Sequence, residues 1–236
     1  MTSRPIKRFY KRAEAAPAGP AFSVRLDGRP VRTPAGRPLE VPTQALAEAI
    51  AAEWEAQGTE VKPHHMPLTQ LASTALDRIG PEREAILAQL MNYAATDLLC
   101  YRAGFPPDLV ERQARQWQPL LDWARDALGA DLVATEGVIA VAQPEPALAA
   151  LAARLRGYDT WRLTALQMTA AAAGSLVLAL ALVEGRLGAD QAFALSQLDE
   201  TYQIEQWGED HEAADRRATL ARDIAAAGRL LTLAAG

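Results

Sequence analysis

Residues 163–183 read LTALQMTAAAAGSLVLALALV, a stretch of 21 positions without a single charge. Two folds compete for such a run. A bilayer-spanning helix needs about 20 apolar residues, so the length suffices. The composition argues against it: Thr164, Gln167, Thr169, Gly174 and Ser175 interrupt the run, and much of the remainder is Ala, which gains little from lipid. A helix that is apolar all round is what the centre of a helical domain requires. The stretch is therefore read as the buried core of a helix running from Asp159 to Val183, with no stable membrane insertion. The row Ala171, Ser175, Ala179 leaves room for a neighbouring helix to approach closely.

Working outward, helical patterns flank this core on both sides. Ala189 to Trp207 and Glu209 to about Leu233 follow it. Before it, Pro106 to Leu128 places Val110, Ala114, Trp117, Leu121, Ala124 and Leu128 on one stripe, and Pro119 predicts a kink or break near Gln118. Further upstream, Leu68, Leu71, Ala72, Ala75, Leu76 and Ile79 keep helical spacing until Gly80-Pro81 closes one helix and opens the next. The stretch DLVATEGVIAV (131–141) reads instead as two short strands around a turn.

The N-terminal pattern has a different period. Phe22, Val24 and Leu26 alternate with Ser23 and Arg25, and Asp27-Gly28 supplies the positive-φ pair of a tight hairpin. Pro- and Gly-rich extended pieces continue to residue 42, so residues 1–42 read as a small twisted antiparallel sheet. Thr43 caps the next helix, whose Leu46, Ile50 and Trp54 share one face, and Gly58 ends it. The fold class is α+β: a β-rich N-terminal domain over residues 1–85, then a mainly α-helical C-terminal domain over residues 86–236. The boundary falls between residues 80 and 95.

Charge and motif content exclude several functions. A net charge of −5 and a pI near 5.3 oppose nucleic-acid binding, which needs a basic face. The single cysteine, Cys100, forms no internal disulfide and reads as a small core residue. The opening MTSRPIKRFYKRAEA carries five basic residues before its first acid but no apolar core, so it reads as a basic arm or charged edge strand rather than a secretory signal. Neither a phosphate-binding glycine loop nor a G-x-S-x-G nucleophile elbow occurs. No cofactor or metal is implied, and His64-His65 read as polar loop groups.

The densest chemistry lies at residues 198–217, LDETYQIEQWGEDHEAADRR, with seven acids and no Lys or Arg before Arg216. On a helix, Asp199, Tyr202, Gln206 and Glu209 share one side, leaving Leu195, Leu198, Ile204 and Trp207 for the core. One enzymatic alternative exists. His211, Glu212 and Asp215 form an H-E-x-x-D pattern, with His211 and Asp215 at the i, i+4 spacing of zinc-dependent hydrolases. It lacks a second His, and Glu209, Asp210 and Glu212 are explained as acids favoured in a helix's first turn. An aromatic pair beside carboxylates otherwise resembles an interface aimed at Arg or Lys on a partner.

Three stretches together carry a family resemblance: VRLDGRPVRTPAGRPLEVPTQALAEAIAAEW (24–54), MPLTQLASTALDRI (66–79) and LDETYQIEQWG (198–208). They closely resemble the assembly-chaperone family for the soluble, catalytic sector of F-type ATP synthase, in the branch that protects the alpha subunit. The resemblance implies a two-part, non-enzymatic protein that binds the unassembled alpha subunit, shields its beta-facing surface and is displaced by the beta subunit. It implies partner-binding roles for Asp199 and Glu200 foremost, with Tyr202, Glu205, Trp207 and Glu209 beside them, and marks Asp27, Gly28, Trp54 and Gly208 as structural family positions. The implied compartment is the bacterial cytoplasm, or the mitochondrial matrix in a eukaryote.

Overall fold

The expected Asp27-Gly28 hairpin organises the N-terminal half of the computed structural model, which describes residues 6–137, 139 and 141–235. The two turn residues sit at φ 47° and 80°, the left-handed pair that matches the twist of a two-residue hairpin. They join β3 (Ala21–Leu26) to β4 (Arg29–Pro30), while β2 (Ala13–Ala18) and β5 (Glu40–Val41) also pair antiparallel with β3, completing a four-stranded sheet. A separate ladder joins β1 (Ile6–Lys7) to β6 (Glu60–Val61), so the basic N-terminal segment supplies a charged edge strand.

Helix α1 (Gln44–Glu55) packs on β2 and β3; its Leu46 and Ile50 are completely buried, as are Val24 and Val41 of the sheet. Thr43 caps it by accepting from the Leu46 amide at 3.1 Å, and the helix ends at Glu55, ahead of the Gly58 stop expected from sequence. Glu53 is the unexpected element of this helix. Its buried carboxylate accepts from the amides of Leu68 and Thr69 and from the Thr69 hydroxyl, at 2.8–2.9 Å, which anchors the start of α2 (Pro67–Thr74). Burial pushes that carboxyl upward in pKa, and the three donors oppose the rise.

The chain divides into two compact units, one from the N-terminus to Arg83 together with the residues from Arg229 onward, the other Glu84–Gly228. The end of the chain, which the sequence assigns with the helices, thus groups with the sheet. There Leu230 is fully buried and the Thr43 hydroxyl donates to the Leu233 carbonyl.

The second unit holds α3 (Arg83–Ala95), β7 (Tyr101–Arg102), α4 (Pro107–Leu128), β8 (Thr135–Glu136), α5 (Glu145–Arg156), α6 (Thr160–Ala173), α7 (Leu176–Val183), α8 (Ala189–Ser196), α9 (Leu198–Trp207) and most of α10 (His211–Ala234). Most of the uncharged stretch is buried as expected, with Leu176–Leu182 inaccessible or nearly so. Ala171, however, is exposed and lies on a different helix from Ala179, so the expected row Ala171, Ser175, Ala179 does not form. The stretch forms two helices instead of one. Gly174 adopts φ 66° and closes α6, and the Ser175 hydroxyl caps α7 by accepting from the Leu178 amide at 3.0 Å. Behind this junction lies Asp97, wholly buried, accepting from Ser175 Oγ (2.7 Å), the Val177 amide (2.9 Å) and the Leu99 amide (3.1 Å). Desolvation raises the Asp97 carboxyl to about 6 despite these donors.

Three further expectations need correction. Helix α4 runs unbroken through Pro119, because that residue lies on the solvent side, where the carbonyl it leaves unbonded is open to water. Its buried stripe begins at Gln113, while Ala114 is exposed. Ala189 to Trp207 is two helices, divided at Gln197. Of the two strands expected in 131–141, Thr135–Glu136 forms and pairs in parallel with β7, whereas the second includes Val138 and Ala140, which lie outside the described residues.

Candidate functional site

The acidic helix α9 lies against α4, and the contact sorts its side chains into two sets. Asp199 accepts from Gln113 Nε2 at 2.7 Å, and Gln113 Oε1 accepts in turn from the Ala103 amide at 2.8 Å. The Tyr202 hydroxyl donates to the Asp108 carboxylate at 2.9–3.0 Å, and its ring is 7% exposed. Arg112 grips Glu205 with both terminal nitrogens at 2.7 and 2.9 Å, with its guanidinium 5.5 Å from the Tyr202 ring centroid. These residues lie on one side of α9 by their three-residue spacing. Tyr202 and Trp207 thereby exchange the places the sequence gives them: Tyr202 faces inward, and Trp207 is 78% exposed.

The inward acids are compensated, contrary to the open charge that the sequence suggests. The Arg112 guanidinium holds the Glu205 carboxyl below its usual range, chiefly through the paired hydrogen bonds. Burial raises Asp199, opposed by the Gln113 amide and the nearby Arg102 charge. Burial also raises Tyr202, and its Asp108 acceptor adds to the rise. Arg102 is itself fixed by the carbonyls of Leu99 and Gln113, at 2.8 and 3.0 Å. The packing is completed by Trp117, fully buried, whose indole N–H donates to the Leu195 carbonyl at 3.0 Å.

The second set faces outward. Glu200, Gln203 and Trp207 fall at i, i+3 and i+7; Gln203 and Trp207 are exposed and Glu200 is half-buried, and none makes a side-chain hydrogen bond among the described residues. Gly208 ends the helix at φ 87°, ψ 166°, a conformation essentially reserved for glycine, and its amide donates to Ile204. Glu209 follows, paired with Arg217 at 3.5 Å, and Arg217 reaches back to the Thr201 hydroxyl at 3.2 Å. The result is an exposed indole flanked by free polar groups on a helix whose other side is pinned.

Other sequence candidates find structural places. Asp27 accepts from the Lys11 and Arg12 amides at 2.9–3.1 Å and so orders its own turn. Trp54 is half-buried, meeting the Tyr10 ring edge to face at 5.7 Å. His211, Glu212 and Asp215 are all exposed, and among the described residues no three His, Cys, Asp or Glu side chains converge as metal ligands. The hydrolase alternative has no support. His64 and His65 lie exposed in a short turn, Pro63–His65.

Sequence reading missed Asp108, Arg112 and Gln113, the residues that decide which acids of α9 are free. Their partners lie 86 to 94 residues away, and only the polar Gln113 at the edge of the α4 stripe hints at the contact.

Comparison with known proteins adds independent findings. The sequence profile of the family described as ATP12 chaperone protein matches residues 7–125. The mitochondrial protein atp12 of Schizosaccharomyces pombe is 29% identical over 86% of this chain and 74% of its own length. The crystal structure of Atp12 from Paracoccus denitrificans is 41% identical and superposes with a TM-score of 0.91, covering 97% of this chain and 98% of that one. The Agrobacterium tumefaciens protein Atu1473 is 44% identical over 96% of this chain and 85% of that one, also at a TM-score of 0.91.

Proposed function

The chain belongs to the ATP12 chaperone protein family, and from that premise we propose that it serves assembly of F-type ATP synthase by holding the unassembled alpha subunit. It is a chaperone rather than an enzyme. The client sits on the outward face of α9, with Glu200, Gln203 and Trp207 in contact and Glu209 at the edge. Asp199, Tyr202 and Glu205 position that face from behind through Gln113, Asp108 and Arg112. The observation that carries this reading is Trp207: a large indole held 78% exposed on a pinned helix, within the acidic stretch that bears the family resemblance.

Exposed aromatics beside carboxylates are the side chains of interface centres that take Arg or Lys from a partner. A lone ring subunit exposes interface that invites wrong association, and covering it suppresses that outcome. Release follows by competition: the beta subunit forms the larger native interface and displaces the chaperone. The site of action is the bacterial cytoplasm, or the mitochondrial matrix in a eukaryote. Among the described residues no helix is long and apolar enough to cross a membrane.

Co-expression with the alpha subunit, alone and then with beta, tests the reading. The expected result is soluble alpha that co-purifies with this protein and is lost from it when beta is present. Aggregated, unbound alpha overturns the client assignment, and a stable ternary complex overturns the competitive release.

A further inference from the structure

The sheet unit contains a feature that the α9 surface does not use. A cleft of about 590 Å³ is bounded by the Phe9-Tyr10 segment, the β3–β4 hairpin and Trp54 of α1. Its aromatic wall is fixed from behind. Tyr10 is 6% exposed, and its hydroxyl donates to the Trp54 carbonyl at 2.6 Å. Arg8 sits 4.7 Å from the Tyr10 ring centroid while donating to the carbonyls of Tyr10, Lys11, Glu55 and Gln57. On this ordered pair rests Phe9, edge-on to Tyr10 at 5.4 Å and 69% exposed.

Two polar features accompany the rings. The Trp54 indole N–H is shielded from solvent yet has no acceptor among the described residues, a state that normally costs about 1–3 kcal/mol. The rim is cationic: Arg29 has no side-chain partner among the described residues, and Arg32 uses only one nitrogen, on the Gly36 carbonyl. Asp27, the carboxylate that lines the cleft, is already engaged by the Lys11 and Arg12 amides. Residues 6–41 carry eight Lys and Arg against three Asp and Glu, inside a chain whose net charge is −5.

We propose that this cleft binds an extended, acidic segment of a partner protein. An aliphatic or prolyl side chain packs on Phe9, above the buried Tyr10, and flanking carboxylates meet Arg29 and Arg32. Extended peptides dock on fixed aromatic walls because little order is lost on the receptor side. The acidity of the whole chain disfavours the other ligand an arginine rim attracts, a nucleic-acid backbone.

The test does not depend on the alpha-subunit reading. A displayed library of random dodecapeptides is panned on the full chain, with counter-selection on the Phe9→Ser/Arg29→Glu variant. The expected winners carry Asp or Glu beside Pro or an aliphatic residue, and bind Phe9→Ser, Arg29→Glu and Arg32→Glu at least about tenfold more weakly, at unchanged thermal midpoint. Failure to enrich any sequence, enrichment of basic peptides, or winners that bind the variants as tightly as the wild type overturns the proposal.

Discussion

Replacing Trp207 with Ala separates folding from client binding more cleanly than any acid of α9. The side chain is 78% exposed and makes no hydrogen bond among the described residues, so its loss changes stability by no more than about 0.5 kcal/mol. For a chain of this size that is a shift of about 1–2 °C in thermal midpoint. Binding responds differently. A Trp buries roughly 200 Å² when fully covered. Most of that area is still available here, and at about 25 cal/mol per Å² its burial against a partner is worth up to about 4 kcal/mol. Interface hot spots lose about 2 kcal/mol or more on truncation, so affinity for the alpha subunit should fall between about 30-fold and several hundred-fold. Calorimetric titration of purified alpha subunit, run beside thermal melts of both proteins, measures the two terms separately. An affinity within about threefold of wild type would remove Trp207 from the client surface. A melting point lower by more than about 5 °C would instead show that the indole supports the fold.

The remaining predictions concern the groups behind that surface and the core. Glu200→Lys leaves the thermal midpoint unchanged and weakens client binding. Asp199→Lys removes the acceptor of Gln113 and sets a second cation beside Arg102, costing about 2 kcal/mol, or about 4–8 °C in melts. Gly208→Ala costs about 1–3 kcal/mol in urea titrations, because φ 87° with ψ 166° strains any Cβ although space around it is open. For Asp97 the folded carboxyl stands at about 6 against 3.8 for an ordinary aspartate, so as pH rises from about 4 to 6 the unfolded chain releases a proton that the folded chain retains. Stability therefore falls by about 3 kcal/mol over that window and stays level above it. Asp97→Asn, although less stable overall through its lost acceptors, lacks this slope, which unfolding titrations at pH 4 and 7 compare directly.

Much of the fold was legible because it rests on neighbours in the chain. The Asp27-Gly28 turn, the Thr43 cap and the burial of the uncharged stretch follow from positive-φ preference, a side-chain acceptor at a helix start and the lack of any charge to solvate. The split at Gly174-Ser175 was written there too, as a left-handed closing residue followed by a capping hydroxyl. It was hidden by the apolar residues on either side.

The site was legible in composition but not in orientation. From sequence alone, residues 198–209 are an acidic aromatic helix with a glycine stop, and the family resemblance attaches a partner to it. Which acids are free, and which aromatic faces solvent, depends on α4. Gln113 takes Asp199, Asp108 takes the Tyr202 hydroxyl and Arg112 takes Glu205, which leaves Gln203 and Trp207 facing solvent. Helix periods and turns are set by forces acting over a few residues, so the sequence by itself determined them. The phase of α9 is set by polar groups that meet only once the intervening helices have packed, so tertiary structure alone decided it.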